Sequence, residues 1–208
     1  MTRFPCNPGS THSSVLEGIR DPGNRTAWER FFDQYAPYIH ALARRRGLRH
    51  ADAEDVVQTV LSEIVGKMRE FDYDRQKGRF HVWLAEATRY RVEDALRRNV
   101  RLDAHEISCP APDVAAPDAF AALAEEEWLA LVRQRALERL REEVSRRQFE
   151  LFHAVVIEEW PTEKAMQVFD ASRAAVYQAK HRILPRYREL LRAVVDELEA
   201  PPSTPSEP

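Results

Sequence analysis

Two short amphipathic segments lie back to back between Trp160 and Leu184, and few arrangements other than a tightly turned pair of helices can bury the apolar side of both. Pro161 and Thr162 open the first, since a proline's missing N–H and a capping hydroxyl both suit a helix start. Its apolar side is Ala165, Met166, Val168 and Phe169, and Asp170-Ala171-Ser172 then interrupts the pattern. Ser172 is a good N-cap for the second segment. There Val176, Ala179 and Ile183 recur at i, i+3 and i+7 and face inward, while Arg173, Tyr177, Lys180 and His181 fall on the opposite side. A helix with an apolar seam and a basic, hydrogen-bonding outer face is the kind that a helix-turn-helix lays in the major groove of DNA. An ordinary helical hairpin with a solvated cationic face is the alternative from these residues alone.

Charge along the chain bears on that choice. Residues 172–192 carry Arg173, Lys180, Arg182, Arg186, Arg188 and Arg192 against the single acid Glu189. The formal net charge of −3 conceals further segregation: residues 79–101 hold six Arg and three acids, whereas residues 102–130 hold seven acids and no Lys or Arg. With 208 residues, 44% of them hydrophobic, the chain can bury one large core or two small ones. Glycine is scarce and strand-like alternation is missing, which predicts an all-α protein. Cys6 and Cys109 are far apart without CxxC spacing, so neither a disulfide framework nor a thiolate zinc site is expected. No apolar run approaches membrane-spanning length, and Arg3 is not followed by one. A cytoplasmic protein without membrane contact is the expectation.

Taken in order, residues 1–24 read as a flexible N-terminal segment with a short helical stretch from Ser13 to Arg20 and a turn at Asp21-Pro22-Gly23-Asn24. Thr26-Ala27-Trp28-Glu29 reads as a capping box. Trp28, Phe31, Phe32 and Tyr35 follow as an aromatic face, with Pro37 restarting or kinking the helix before Tyr38, Ile39 and Leu42. A second helix is expected from Asp52 to Arg69, with an apolar stripe Val56, Val57, Val60, Leu61, Ile64, Val65 and Met68. Asp52, Glu54 and Asp55 stabilise its start through the helix dipole, and Asp55, Gln58, Thr59 and Ser62 form a polar side open to a partner helix. Residues 71–79 mix Phe71 and Tyr73 with Arg75, Lys77 and Arg79, a combination suited to stacking on unpaired bases. In the next helix Phe80, Trp83, Leu84 and Ala87 share a side whose next member is Arg91, so the buried stripe is expected to end mid-helix. Its second half, with Arg89, Tyr90, Arg91, Arg97 and Arg98, would then leave the core for a polyanion. Residues 99–118 read as an acidic, Pro/Ala-rich linker. Helical patterning returns with Phe120, Leu123, Trp128, Leu131, Val132, Leu137 and Leu140, and again with Phe149, Leu151, Phe152, Val155 and Val156.

Asp52-Ala53-Glu54-Asp55-Val56-Val57-Gln58, Phe80-His81-Val82-Trp83-Leu84 followed by Arg89, Asp94, Arg97 and Arg98, and Val176-Tyr177-Gln178-Ala179-Lys180-His181-Arg182 together resemble a bacterial RNA polymerase sigma factor of the extracytoplasmic-function (ECF) class. The likeness spans roughly residues 25–98 and 130–192. Tyr90 stands where the family usually has Asn, and Asp170 where it usually has Gly in the helix-turn-helix turn.

The resemblance implies two small helical domains, a region 2-like one over 25–98 and a region 4-like one with the helix-turn-helix over 119–199, followed by a disordered tail at 200–208. It implies no catalysis and no cofactor or metal. Core RNA polymerase would meet Asp52, Glu54, Asp55, Gln58, Thr59 and Ser62. The minus-ten promoter element would meet Phe71, Tyr73, Arg75, Lys77, Arg79, Tyr90, Arg91, Arg97 and Arg98, and the minus-thirty-five element Ser172, Arg173, Tyr177, Gln178, Lys180, His181 and Arg182. Arg182, Arg186 and Arg188, at or after a helix end near Pro185, would meet phosphates at the groove's edge. An anti-sigma protein is a further partner the family admits. Two rivals stand beside this reading. A self-sufficient helix-turn-helix regulator leaves 52–98 without a role, and a di-iron helical bundle has only Glu150-Leu151-Phe152-His153 as a Glu-x-x-His motif.

Overall fold

Helix α1, Arg25–Arg45, starts where the Asn24 side chain accepts a hydrogen bond from the Ala27 N–H. The cap is therefore Asn24 and not the Thr26 box that the sequence predicts; Glu29 reaches the Arg25 side chain four residues back instead. The computed structural model describes residues 19, 21, 23–67, 79–103 and 117–199, and every regular element among them is helical. Pro37 lies inside α1 without ending it. Gly47, at φ 92, closes the helix with its N–H on the Arg44 carbonyl, a backbone region that favours a residue without Cβ.

Helix α2, His50–Lys67, turns Ala53, Val56, Val60, Leu61 and Ile64 inward, and α3, Phe80–Asp103, packs with it and with α1. The inner row of α3 is Phe80, Leu84, Thr88, Val92 and Ala95 at helical spacing. Burial thus continues past Arg91, contrary to the expectation that the stripe stops mid-helix. The sequence pattern centres the apolar side on Trp83 and Ala87; both are only half-buried, and the true centre is one residue on. Thr88 disguises it, because its hydroxyl donates to the Leu84 carbonyl and so enters the core satisfied. Helix α3 also continues through residues expected to be linker, 99–103.

Helix α4, Pro117–Glu143, is divided between two compact units, the first holding residues up to Trp128 together with 197 onwards, the second Leu129–Asp196. The sequence predicts a linker over 99–118 and a second domain from 119. The reason for the difference is that Phe120, Ala124 and Trp128 are core residues of the first unit: Tyr38 Oη donates to the Ala124 carbonyl at 3.2 Å, and the Trp128 ring meets Tyr38 edge-on. Trp128 also stacks on His81, centroids 4.3 Å apart and planes within 8°. His81 is fixed on both sides, Nδ1 on the buried Glu199 carboxylate and Nε2 3.2 Å from Glu125. The other Glu199 oxygen accepts from the Phe80 N–H at 3.0 Å, so this carboxylate caps the first turn of α3. Tyr35 Oη adds a hydrogen bond to the Leu198 carbonyl, 2.7 Å away. Burial of the Tyr38 hydroxyl, with the charges of Glu125, Glu199 and Glu127 adding to it, raises its pKa far above the ordinary tyrosine value.

In the second unit Ser145 forms a capping box with Gln148 at the start of α5, Arg146–Phe152, which widens into a π turn, His153–Ile157. Helices α6, Thr162–Phe169, and α7, Arg173–Gln178, then follow. A second π turn, Ala179–Ile183, leads into α8, Leu184–Glu199. Pro185 therefore does not end a helix. The wider turn before it accommodates the N–H that proline cannot supply.

Candidate nucleic-acid interface

The α6–α7 pair is built by its turn. Asp170 takes φ 44, ψ 52, the left-handed conformation that usually falls to Gly and that Asp tolerates better than most residues. Arg147 on α5 secures the same turn by donating to the Phe169 and Asp170 carbonyls at 2.9 and 3.0 Å. No sequence signal picks out Arg147, since its partners are backbone oxygens more than twenty residues away. Ser172 caps α7 through its Oγ, which accepts from the Ala175 N–H. Val176, Ala179 and Ile183 are buried, and Ser172, Arg173, Tyr177, Gln178, Lys180, His181 and Arg182 are all exposed on the outside of the same unit. The Tyr177 and His181 rings lie against each other at 3.9 Å, so the two present one aromatic surface. Arg173 lies 3.3 Å from Glu163, a pair so exposed that it holds the guanidinium weakly. Arg186 differs. It forks onto Glu143 at 2.6 and 2.7 Å and also reaches Glu189, so two carboxylates hold its guanidinium. Its pKa is raised, chiefly by the Glu143 hydrogen bond, and that of Glu143 is lowered by the same bond.

In the first unit α2 presents Asp55, Gln58, Thr59 and Ser62 as an exposed row, with Glu54 beside them at 3.4 Å from His50. Asp52 departs from this group. It is half-buried and held by Arg49 and by Asn99 Nδ2 at 3.0 Å, so it ties α2 to α3. Next to Gln58 an apolar hollow of about 730 Å³ lies between α1 and α2, lined by Phe32, Pro37, His40, His50 and Val57 among others. His40 Nε2 and His50 Nδ1 face each other there at 3.0 Å, and desolvation, then the neighbouring His50 and Arg44, lowers the His40 pKa.

On α3, Tyr90 is exposed beneath the Arg89 guanidinium, 4.5 Å above its ring. Arg89 itself is clamped between Glu86 and Glu93, and its pKa is raised by the Glu86 hydrogen bond first and the Glu93 bond next. Arg91, Arg97 and Arg98 line a polar cleft of about 440 Å³ with Asp94, Val56 and Thr59. Thr59 thus belongs to this cleft as well as to the α2 row. Arg79 is exposed, 3.7 Å from Glu125. Phe71, Tyr73, Arg75 and Lys77 lie outside the described residues.

The Glu150/His153 pair that a di-iron site would need does not converge. Glu150 binds Arg146 and His153 binds Glu158, and among the described residues no group of three or more His, Cys, Asp or Glu is placed to hold a metal. Among them, too, no helix is long and apolar enough to cross a membrane.

Comparison with known proteins bears on the first unit. The family model for sigma-70 region 2 matches residues 31–102, which run from the middle of α1 through α2 to the last turn of α3. The solved structure of CnrH in complex with the cytosolic domain of CnrY aligns with 89% of this chain and 98% of that one, at 20% identity and a TM-score of 0.35. No curated protein matches the chain. The helices that carry the exposed α2 row and the arginine cleft of α3 therefore match sigma-70 region 2 over residues 31–102.

Proposed function

We propose that this protein is a sigma factor of the extracytoplasmic-function class that binds core RNA polymerase and directs recognition and melting of promoter DNA. The observation that carries the reading furthest is the pair of surfaces on one region 2: a polar row with an apolar hollow beside it on α1 and α2, and an arginine-lined cleft with an exposed tyrosine on α3. The first is suited to a protein partner, because apolar area flanked by hydrogen-bonding side chains is what a stable interface buries. The second is suited to a polyanion, since guanidinium groups neutralise phosphates and an aromatic face stacks on an unpaired base. Core polymerase docks on Glu54, Asp55, Gln58 and Ser62. The minus-ten strand lies along Arg79, Tyr90, Arg91, Arg97 and Arg98, joined by residues 71–77. The exposed side of α7 and the π turn that continues it, the recognition helix of a helix-turn-helix in this reading, takes the minus-thirty-five duplex through Arg173, Tyr177, Gln178, Lys180, His181 and Arg182. Promoter selection by such a protein needs no chemistry of its own. A partner that covers these surfaces, such as an anti-sigma protein, would restrain it.

The test is co-purification with core polymerase. Asp55→Arg combined with Gln58→Ala should abolish it while circular dichroism stays unchanged. Undiminished co-purification would remove core docking from this face.

A further inference from the structure

Arg91 and Arg97 both turn onto Asp94, one turn of helix away from each, but they do not share an oxygen. Arg97 Nη2 takes Oδ1 at 2.5 Å, and Arg91 Nη1 takes Oδ2 at 3.4 Å. Arg91 is further held from α2 by the Glu63 carboxylate. The three side chains border the cleft that Arg98 also lines, and Asp94 and Arg97 are both well exposed to solvent. Two guanidinium groups converging on the two oxygens of one carboxylate is the arrangement they would adopt on two oxygens of one phosphate.

We infer that Asp94 is a specificity-determining residue of the DNA surface, an internal carboxylate that occupies Arg91 and Arg97 until a backbone phosphate of correctly placed promoter DNA displaces it. The inference rests on the DNA-binding reading of α3 given above. Its physical content is competition. A phosphate arriving anywhere near the cleft must first separate two ion pairs, so loosely held, sequence-indifferent DNA gains little from these arginines. DNA fixed by base contacts elsewhere brings its phosphate to the cleft at high effective concentration and gains the full contact. Asp94 thus lowers non-specific affinity more than specific affinity. The low pKa that Arg97 imposes on its carboxyl is consistent with a charge held ready in the cleft. Glu86 and Glu93 are outside this competition, since they clamp Arg89 on another side of the helix.

The experiment uses the full chain and a random-sequence single-stranded oligonucleotide, titrated by fluorescence anisotropy over a range of salt concentrations. Asp94→Asn should bind about three- to tenfold more tightly than the wild type, with a salt slope steeper by about one phosphate contact. Asp94→Glu should restore weak binding. Glu142→Gln makes the same change in net charge at an exposed position of the second unit and should leave both quantities unaltered. Arg97→Ala in the wild-type background serves as the check on the underlying reading. If Arg97→Ala weakens binding but Asp94→Asn does not tighten it, Asp94 is no competitor and the inference falls while the DNA reading stands. If neither substitution changes binding, α3 is not a DNA surface and both fall. Tightening by Glu142→Gln equal to that by Asp94→Asn would reduce the effect to net charge and overturn the inference as well.

Discussion

Replacing Glu199 by Ala should damage the helix that reads the minus-ten element in the proposed function, although Glu199 lies 119 residues from Phe80 in sequence. Glu199 and His81 are each about 1% exposed, and Glu199 makes two bonds with α3, one to the Phe80 N–H and one to His81 Nδ1. Alanine leaves a first-turn N–H of α3 without its acceptor and deprives the imidazole of one of its two carboxylates. Breaking a buried pair costs about 3–5 kcal/mol, and an unsatisfied buried donor about 1–3 kcal/mol, contributions that overlap here because one group supplies both. His81 keeps Glu125, which is partly exposed, and that lowers the sum. The expected loss is therefore about 2–4 kcal/mol, a large part of the roughly 5–15 kcal/mol of a folded domain. Glu199→Gln retains a side-chain oxygen for Phe80 and should lose about half as much. Urea unfolding followed by tryptophan fluorescence measures this directly, because Trp128 stacks on His81. A loss below about 1 kcal/mol for Glu199→Ala would refute the reasoning, since it would mean that neither bond matters in the folded state.

Other substitutions separate local causes in the second unit. Asp170→Val puts a β-branched residue at φ 44 and should destabilise that unit by about 1–2 kcal/mol in thermal melts, whereas Asp170→Gly should not destabilise it. The depressed carboxyl of Glu143 contributes stability above its unfolded pKa and loses it as pH falls through the lower folded value. The pair is exposed and screened by solvent, so acid titration of unfolding should show only a small loss, which Arg186→Ala abolishes. In transcription from a randomised minus-thirty-five library, Tyr177→Ala should change the preferred sequence at one position, while Arg186→Ala should leave both preference and salt dependence unchanged because Arg186 is engaged by Glu143.

Local rules carried much of this structure and failed where a partner lay far along the chain. Ser172 as an N-cap and Asp170 in a left-handed turn are decided within four residues, and the structure has both. The aromatic face of α1 follows from helical period alone and lies in the core at Phe31, Tyr35 and Tyr38. Thr26 and Glu29 imitate a capping box two residues after the true cap, Asn24, and so conceal it in the sequence. Arg147, Glu199 and Asn99 had no legible role, since each answers a group more than twenty residues away that no spacing rule connects to it. On the surfaces, residue type announced cations but not their occupation. Arg89 and Arg186 read as cations facing DNA and are clamped by carboxylates, and Asp94, one position of the family motif in the sequence, holds two arginines of the cleft. Charge counted along a helix records what is present; ion pairing in three dimensions determines what remains for a partner.

Run-off transcription with purified core polymerase on a library of genomic fragments tests the central claim most directly. Addition of this protein should yield discrete transcripts whose upstream regions share paired minus-thirty-five and minus-ten elements, and the Asp55→Arg, Gln58→Ala variant should yield none. Tight binding to DNA with no transcript above core polymerase alone would contradict the claim.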